Sequence, residues 1–547
     1  MKIDCKLLLL FLTFSLLSCK TDGKLASQEI KTENPSVIQF SKKSFNEPFA
    51  SEADFSNSVH LPEDQNLNIQ FKLKTPLVES LQKLAPTWTN KKLLQQGNFQ
   101  FSFFVDNALI YTRNINQGAG TEESKTKQLK HRIPLMHPER IDYWGWYLWL
   151  RFNKMGGGQD ALAVGNHNLR IEIRTYLQAD ELHIGPILAT GSIEVKVEDI
   201  PVDPKEITFQ PIEANSNFEL SKAAIDTQRV EALNKKIAQN RFEAITSIVV
   251  LKEGKLLLEE YFNGATRDSL HNTRSVGKSF ASTMMGIAIE ENYILNEDQT
   301  LSDYYNLSDF ENYSKAKEAI TLKSLLTMSS SFDGDDDDYD SPGNEENMYP
   351  TDDWVKFTLD LPLNPDKKMG TDYVYFTSGV VVLGDIIHKS VPGGLVSYAD
   401  KKLFHPLGIT NYQWQFTPQN VGNTAGGLQL RALDFARYGQ LYKNGGLWNG
   451  NQIIPKPWVN KSLSKLIAQP DFDNGYYGYL FWNNVYTVDA KDYEVSYCTG
   501  YGGNKIFIFK DIPFVIVITA QAFGMPWAHA QVDDMMENYI LPSILGK

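Results

Sequence analysis

At 547 residues the chain is too long for one ordinary domain, so two or three are expected. Its 42% hydrophobic and 12% aromatic content is that of a folded protein. A formal net charge of −13 and a pI near 5.3 exclude a basic-patch nucleic-acid binder and a basic face for anionic membranes. Cys5, Cys19 and Cys498 cannot build a metal cluster, and the nine histidines are scattered without a His-Glu-x-x-His run, so neither a metal nor another cofactor is expected.

The N-terminus carries Lys2 and Lys6, then an apolar run from Leu7 to Leu17 that is short for a membrane span, then Leu16-Leu17-Ser18-Cys19. This resembles a bacterial lipoprotein lipobox. The resemblance implies removal of residues 1–18, lipidation of Cys19 with acyl chains such as palmitate, and anchoring in a membrane. Lys20 follows the cysteine where an inner-membrane retention aspartate would stand, so an outer-membrane location in the cell envelope is expected. Residues 19–40 read as a polar tether.

From residue 41 to 201 the pattern is β, and a sandwich-like domain is expected. Asn66 to Leu73 alternates with period two, as do Leu169 to Tyr176 and Ile193 to Val197. Phe101 to Val105 and Ala108 to Tyr111 read as a hairpin around Asp106-Asn107. Tyr143 to Leu150 reads as a central strand, aromatic on both faces and buried. Its other reading is an aromatic platform for sugars or peptidoglycan.

Residues 202–221 form a proline-containing linker, and 222–547 a second domain of α/β type. Lys222 to Arg241 reads as an amphipathic helix. Ser247 to Leu251 and Lys255 to Phe262 flank the turn Lys252-Glu253-Gly254. Helices are expected over Thr351 to Leu361, Ser378 to His388, Ala432 to Lys443 and His529 to Tyr539. A last hairpin joins Lys505 to Phe509 with Phe514 to Ile518. Strands early, strands late and helices between predict an antiparallel sheet built from both ends of the domain, flanked by helices, with a helical subdomain.

Between these elements lies Asn272 to Ala281, where Ser275 opens an apolar, buried helix and Lys278 follows three residues on. Hydroxyl and amine then share one face at the helix end whose backbone N–H groups are unpaired, where an alkoxide and an oxyanion are favoured. The spacing alone is weak: Ser80/Lys83, Ser124/Lys127, Ser314/Lys317 and Ser462/Lys465 repeat it, and none is assigned a function. Two later segments supply context, Gly370 to Gly379 around Tyr375 and Cys498-Thr499-Gly500-Tyr501-Gly502-Gly503 before a core strand.

With these residues in order, the region from about Lys222 to the C-terminus resembles the serine β-lactamase and penicillin-binding-protein superfamily. It is most like the class C branch, which also holds family VIII carboxylesterases and 6-aminohexanoate-oligomer hydrolases. Leu325 to Ser330, Thr424 to Leu428 and Gly445 to Gly450 add to the likeness. The resemblance implies Ser275 as acylated nucleophile, Lys278 and Tyr375 as the residues that take or relay its proton, and the backbone N–H groups of Ser275 and Tyr501 as oxyanion hole. Which of Lys278 and Tyr375 is the base stays open.

Thr377, Cys498, Thr499 and Gly500 take the substrate-binding positions. Two of them depart from the family pattern, with Cys498 where a carboxylate-binding lysine stands and Thr377 where an asparagine stands. An ester or a different amide therefore fits better than a β-lactam or a peptide ending in D-alanine.

The expected function is a lipid-anchored serine hydrolase acting on a small-molecule or cell-wall-derived ester or amide. The alternatives are a β-lactamase or D-alanyl-D-alanine carboxypeptidase, and an inactive cell-wall or glycan-binding lipoprotein. Cys498 is expected as a small residue packed beside a strand. Asp333 to Asp338 fails the EF-hand pattern because Asp338 occupies the glycine position, and reads as a solvated acidic loop.

Overall fold

The computed structural model describes residues 34–213, 216–470 and 475–546. Cys19 and its lipobox lie outside the described residues. The chain divides into two compact units, one comprising Met1–Trp149 with Ala161–Val197, the other Leu150–Asp160 with Glu198–Lys547.

The first unit is built on two sheets. In the six-stranded sheet, the long strands Gly165–Gln178 and Leu182–Val197 form a hairpin beside Gly97–Val105 and Ala108–Asn114. The second sheet joins Gln39–Ser41, Leu67–Lys72 and Lys130–Met136. The expected hairpin turn is present: Asp106 and Asn107 both take positive φ, 49° and 71°, which a two-residue turn matched to strand twist requires. Alternation places Phe101, Phe103, Ile171 and Ile173 fully inside.

One expectation here is overturned. The Tyr143 to Leu150 segment is not a strand; Trp144–Met155 is a helix. Gly145, Leu148, Trp149 and Phe152 are its buried positions, an i, i+3, i+4, i+7 spacing that an all-aromatic run conceals under apparent alternation. Gly145 lets the helix press close, since a Cβ there would lie 2.3 Å from Ile133.

In the second unit, α1 (Thr227–Ala238) starts on the Asp226 cap. Strands β1 (Ile245–Lys252) and β2 (Lys255–Tyr261) form the early hairpin, with Glu253 and Gly254 at φ 53° and 75° in its turn. The late strands are β3 (Trp482–Val488), β4 (Lys491–Gly500), β5 (Asn504–Phe509) and β6 (Phe514–Ala520). The eight-stranded sheet runs β2-β1-β6-β5-β4-β3 and ends in two short strands. β1 and β6 pair antiparallel, Ile248 opposite Ile518, so the sheet is closed from both ends of the domain sequence as expected.

Against this sheet lies α2 (Val276–Glu290), buried on every side from Val276 to Ala288. An apolar helix with no polar face can only sit in a core. Beside it α4 (Ala432–Lys443) packs on the same sheet, with Phe280 stacked on Tyr438 at 3.8 Å. Thr283 Oγ1 lies 2.8 Å from both the Tyr438 and Tyr442 hydroxyls, and Ser279 donates to the Leu480 carbonyl at 2.6 Å. These polar ties fix the rotation of an otherwise featureless helix. A further buried helix, α3 (Thr377–Ser390), follows the Tyr375 segment, and α5 (Ala528–Met535) follows β6. Among the described residues no single helix is long and apolar enough to cross a membrane.

Candidate active site

The chain enters α2 through a strained turn. The Thr273 backbone N–H and hydroxyl both donate to the Leu428 carbonyl, at 2.9 and 2.8 Å. Arg274 then takes φ +48°, a left-handed conformation uncommon for a bulky side chain, and turns the backbone into the helix. Two glycines hold this turn from either side. A Cβ at Gly426 would lie 2.6 Å from the Arg274 carbonyl carbon; one at Gly500 would lie 2.3 Å from the Thr273 carbonyl oxygen and 3.3 Å from the Ser275 nitrogen. The end of β4 is thus pressed directly against the backbone that leads into Ser275.

Ser275 stands at the N-cap position but does not use its hydroxyl to cap. The Oγ instead meets Lys278, whose Nζ donates to it at 2.8 Å and to the Ala425 carbonyl at 3.0 Å. Lys278 is 2% exposed. Its Nζ lies 5.1 Å from the Tyr375 ring centroid, and the Tyr375 phenol is electrostatically coupled to Lys278. The structure therefore brings Ser275, Lys278 and Tyr375 together, with a hydrogen bond joining Lys278 to Ser275 and the Tyr375 ring beside the amine. Among the described residues, neither the Ser275 nor the Tyr501 backbone N–H is taken up by another group, which leaves both for an oxyanion.

Two of the other Ser-x-x-Lys runs place their lysines differently. Lys317 is buried and donates to the Glu311 and Leu359 carbonyls, while Lys465 pairs with Glu494.

The electrostatics of the trio are set by burial and by two carboxylates. Burial works against the Lys278 ammonium, but the facing Tyr375, Glu345 and Asp336 outweigh it and hold the amine's pKa above its ordinary value. Burial raises the Tyr375 phenol, with Lys278 and the Ser275 hydrogen bond pulling the other way. Both groups are thus shifted upward, and each acts on the other's proton.

The substrate-binding positions are less uniform. Thr377 begins α3 and is fully buried; its backbone N–H donates to Asp336 Oδ2 at 2.7 Å. Cys498 is 1% exposed, and burial pushes its thiol up to about 12, so it is a packed, inert residue. Neither side chain presents a surface to a ligand. Thr499, by contrast, is partly exposed, and its hydroxyl lies 3.3 Å from His529 Nδ1 on α5. Tyr501 is 51% exposed, accepts the Gly524 N–H at 2.6 Å and stacks on Phe523, which also carries the Arg274 guanidinium. Trp482 stands beside Tyr375, with ring centroids 5.8 Å apart, and pairs across the strands with Tyr497.

The acidic loop is only partly solvated. Asp337 and Asp338 are exposed, but Asp336 folds under the Tyr375 segment. Sequence reasoning missed Asp336, Glu345 and His529. The aspartate run is visible in the sequence, whereas nothing local marks which of its members turns inward. Among the described residues no group of His, Cys, Asp or Glu is arranged to hold a metal.

The chain is similar to several solved structures. Similar solved structures include a proposed 6-aminohexanoate-dimer hydrolase from Bacillus anthracis (19% identity, TM-score 0.46, covering 62% of this chain and 89% of that one). Another is the octameric penicillin-binding protein homologue from Pyrococcus abyssi (18% identity, TM-score 0.44, 58% and 78%). A third is a penicillin-binding protein homologue from Caulobacter crescentus (15% identity, TM-score 0.43, 58% and 98%). No curated protein matches the sequence. Residues 234–535, more than half of the sequence and the whole of the Ser275 site, match the Beta-lactamase family, and the chain belongs to it.

Proposed function

We propose that the protein is a serine hydrolase that cleaves an ester or amide through an acyl-enzyme on Ser275. The observation that carries this reading is the Ser275 hydroxyl held 2.8 Å from a buried Lys278 at the N-terminus of an apolar helix. In this reading the Ser275 Oγ attacks the substrate carbonyl and passes its proton into the Lys278–Tyr375 pair. The oxyanion forms against the N–H groups of Ser275 and Tyr501. The pair then protonates the leaving alcohol or amine, and a water enters by the reverse path to release the acid. Either member of the pair serves as the base in this scheme.

The buried Cys498 and Thr377 support a substrate without the anchoring carboxylate of β-lactams and D-alanyl peptides. Trp482 and Tyr497 beside Tyr375 offer apolar surface in place of a clamping charge. The rival reading as an inactive glycan-binding lipoprotein drew on an aromatic strand at Trp144, and that segment is a helix. The test is intact-mass and peptide analysis after exposure to a panel of p-nitrophenyl esters, anilides and nitrocefin. A mass adduct on the Ser275 peptide from esters or anilides is expected; an adduct from nitrocefin alone would return the β-lactamase alternative.

We place the protein on the bacterial envelope through lipidated Cys19, with the outer membrane as the expected site. Expressed in a bacterium fed alkynyl palmitate, the wild type is expected to take up the label and partition with membranes. Cys19→Ser is expected to lose both, and a labelled, membrane-bound Cys19→Ser would reject the anchor.

A further inference from the structure

Beside the catalytic trio lies an acidic residue that the reaction as described leaves unused. Asp336 makes three hydrogen bonds to backbone, two with the segment bearing Tyr375 and the helix after it and one with Glu345. Its own N–H donates to the Tyr375 carbonyl at 3.0 Å. Its Oδ2 accepts the Thr377 N–H at 2.7 Å, at the first turn of α3, and its Oδ1 accepts the Glu345 N–H at 2.9 Å. The loop is held in this shape by the Asn344 side-chain amide, which reaches the carbonyls of Asp335, Asp336 and Asp338 at 3.1–3.2 Å. Asn344 is 2% exposed. Such a pinned loop places a carboxylate rather than merely solvating one.

We propose that Asp336 is a positioning residue for the Lys278–Tyr375 pair: it fixes the Tyr375 backbone and, together with Glu345, holds the positive charge on Lys278. The proposal rests on the serine-hydrolase reading of Ser275. Its physical basis is that a negative charge close to two coupled proton donors favours the protonated form of both. Lys278 feels Glu345 and Asp336, and Tyr375 feels Asp336 as well. Asp336 itself is faced by Glu345, Lys278, Tyr349 and Tyr375; Tyr373 and Tyr477 face Tyr375 from its other side. Burial, then Glu345, raises the Asp336 carboxyl to about 6.

The consequence is independent of which member of the pair is the base. Removing the Asp336 charge lowers the pKa of both, so the pH at which the site becomes competent to activate Ser275 moves down in either case. The measurement is the second-order rate of labelling by a fluorophosphonate as a function of pH, for wild type, Asp336→Asn, Asp336→Glu and Glu345→Gln. The midpoint of the rising limb is expected to fall by about one pH unit in Asp336→Asn. Asp336→Glu, which keeps the charge, is expected to hold the midpoint near wild type. Glu345→Gln leaves the Tyr375 and Thr377 contacts intact and is expected to shift the midpoint in the same direction; it decides the matter alone if Asp336→Asn does not fold.

A purely structural Asp336 would slow labelling without moving the midpoint, and unmoved midpoints in both neutral variants would overturn the proposal. Undiminished labelling of Ser275→Ala would instead sink the nucleophile assignment, so the two failures are separable.

Discussion

Ser275→Ala is expected to lower turnover of any ester or amide substrate by about 10⁴-fold or more, and to abolish fluorophosphonate labelling. The size follows from what remains. Lys278 and Tyr375 keep their places, because Lys278 is also held by the Ala425 carbonyl and Tyr375 by its segment's bonds to Asp336. The oxyanion donors stay as well, so substrate binding should change little and the loss should fall on kcat. Ser275 is only partly buried, and its alanine variant leaves no large cavity. The thermal midpoint is therefore expected to stay within a few degrees of wild type, measured beside the kinetics. Full labelling of a folded Ser275→Ala protein would place the nucleophile elsewhere, and peptide mapping of the adduct would say where.

That the pairing of Ser275 with Lys278 could be read from sequence, while the carboxylates that face it could not, has a physical cause. Ser275 and Lys278 are separated by one helical turn, and the helix that carries them announces itself through an apolar run with no polar face. The hairpin turns were legible for a similar reason, since Asp106-Asn107 and Glu253-Gly254 encode positive φ locally. Asp336 meets Tyr375 across thirty-nine positions of chain, and Thr499 meets His529 across thirty. Such contacts depend on how loops pack, and nothing in the aspartate run distinguishes the inward member from its solvated neighbours.

The Trp144 segment failed differently. A stretch apolar at nearly every position satisfies both the two-residue and the 3.6-residue period, so periodicity could not decide between strand and helix. Burial at Gly145, Leu148, Trp149 and Phe152 settles it as a helix.

Gly500→Ala is the second substitution with a large expected effect, and it tests whether the β4 strand end forms part of the site. The added Cβ would stand 2.3 Å from the Thr273 carbonyl oxygen, a backbone atom fixed by the hydrogen bonds of Thr273 to Leu428. Neither side can yield by a rotamer change, so the strand end must move outward by about an ångström to reach an ordinary contact. Tyr501 follows Gly500 directly and would move with it, displacing the N–H that the proposed mechanism uses as an oxyanion donor. A misplacement of about 1 Å costs on the order of 10²-fold, and loss of one oxyanion donor costs about 10²–10³-fold. The expected result is a kcat lower by about 10²-fold or more, KM changed much less, and labelling of Ser275 slowed but retained because the nucleophile and its base are intact. Gly500 itself lacks a side chain that could touch substrate, so such a loss is carried through geometry alone. A Gly500→Ala protein with wild-type kcat would show that the strand end tolerates displacement and that Tyr501 does not supply the oxyanion contact.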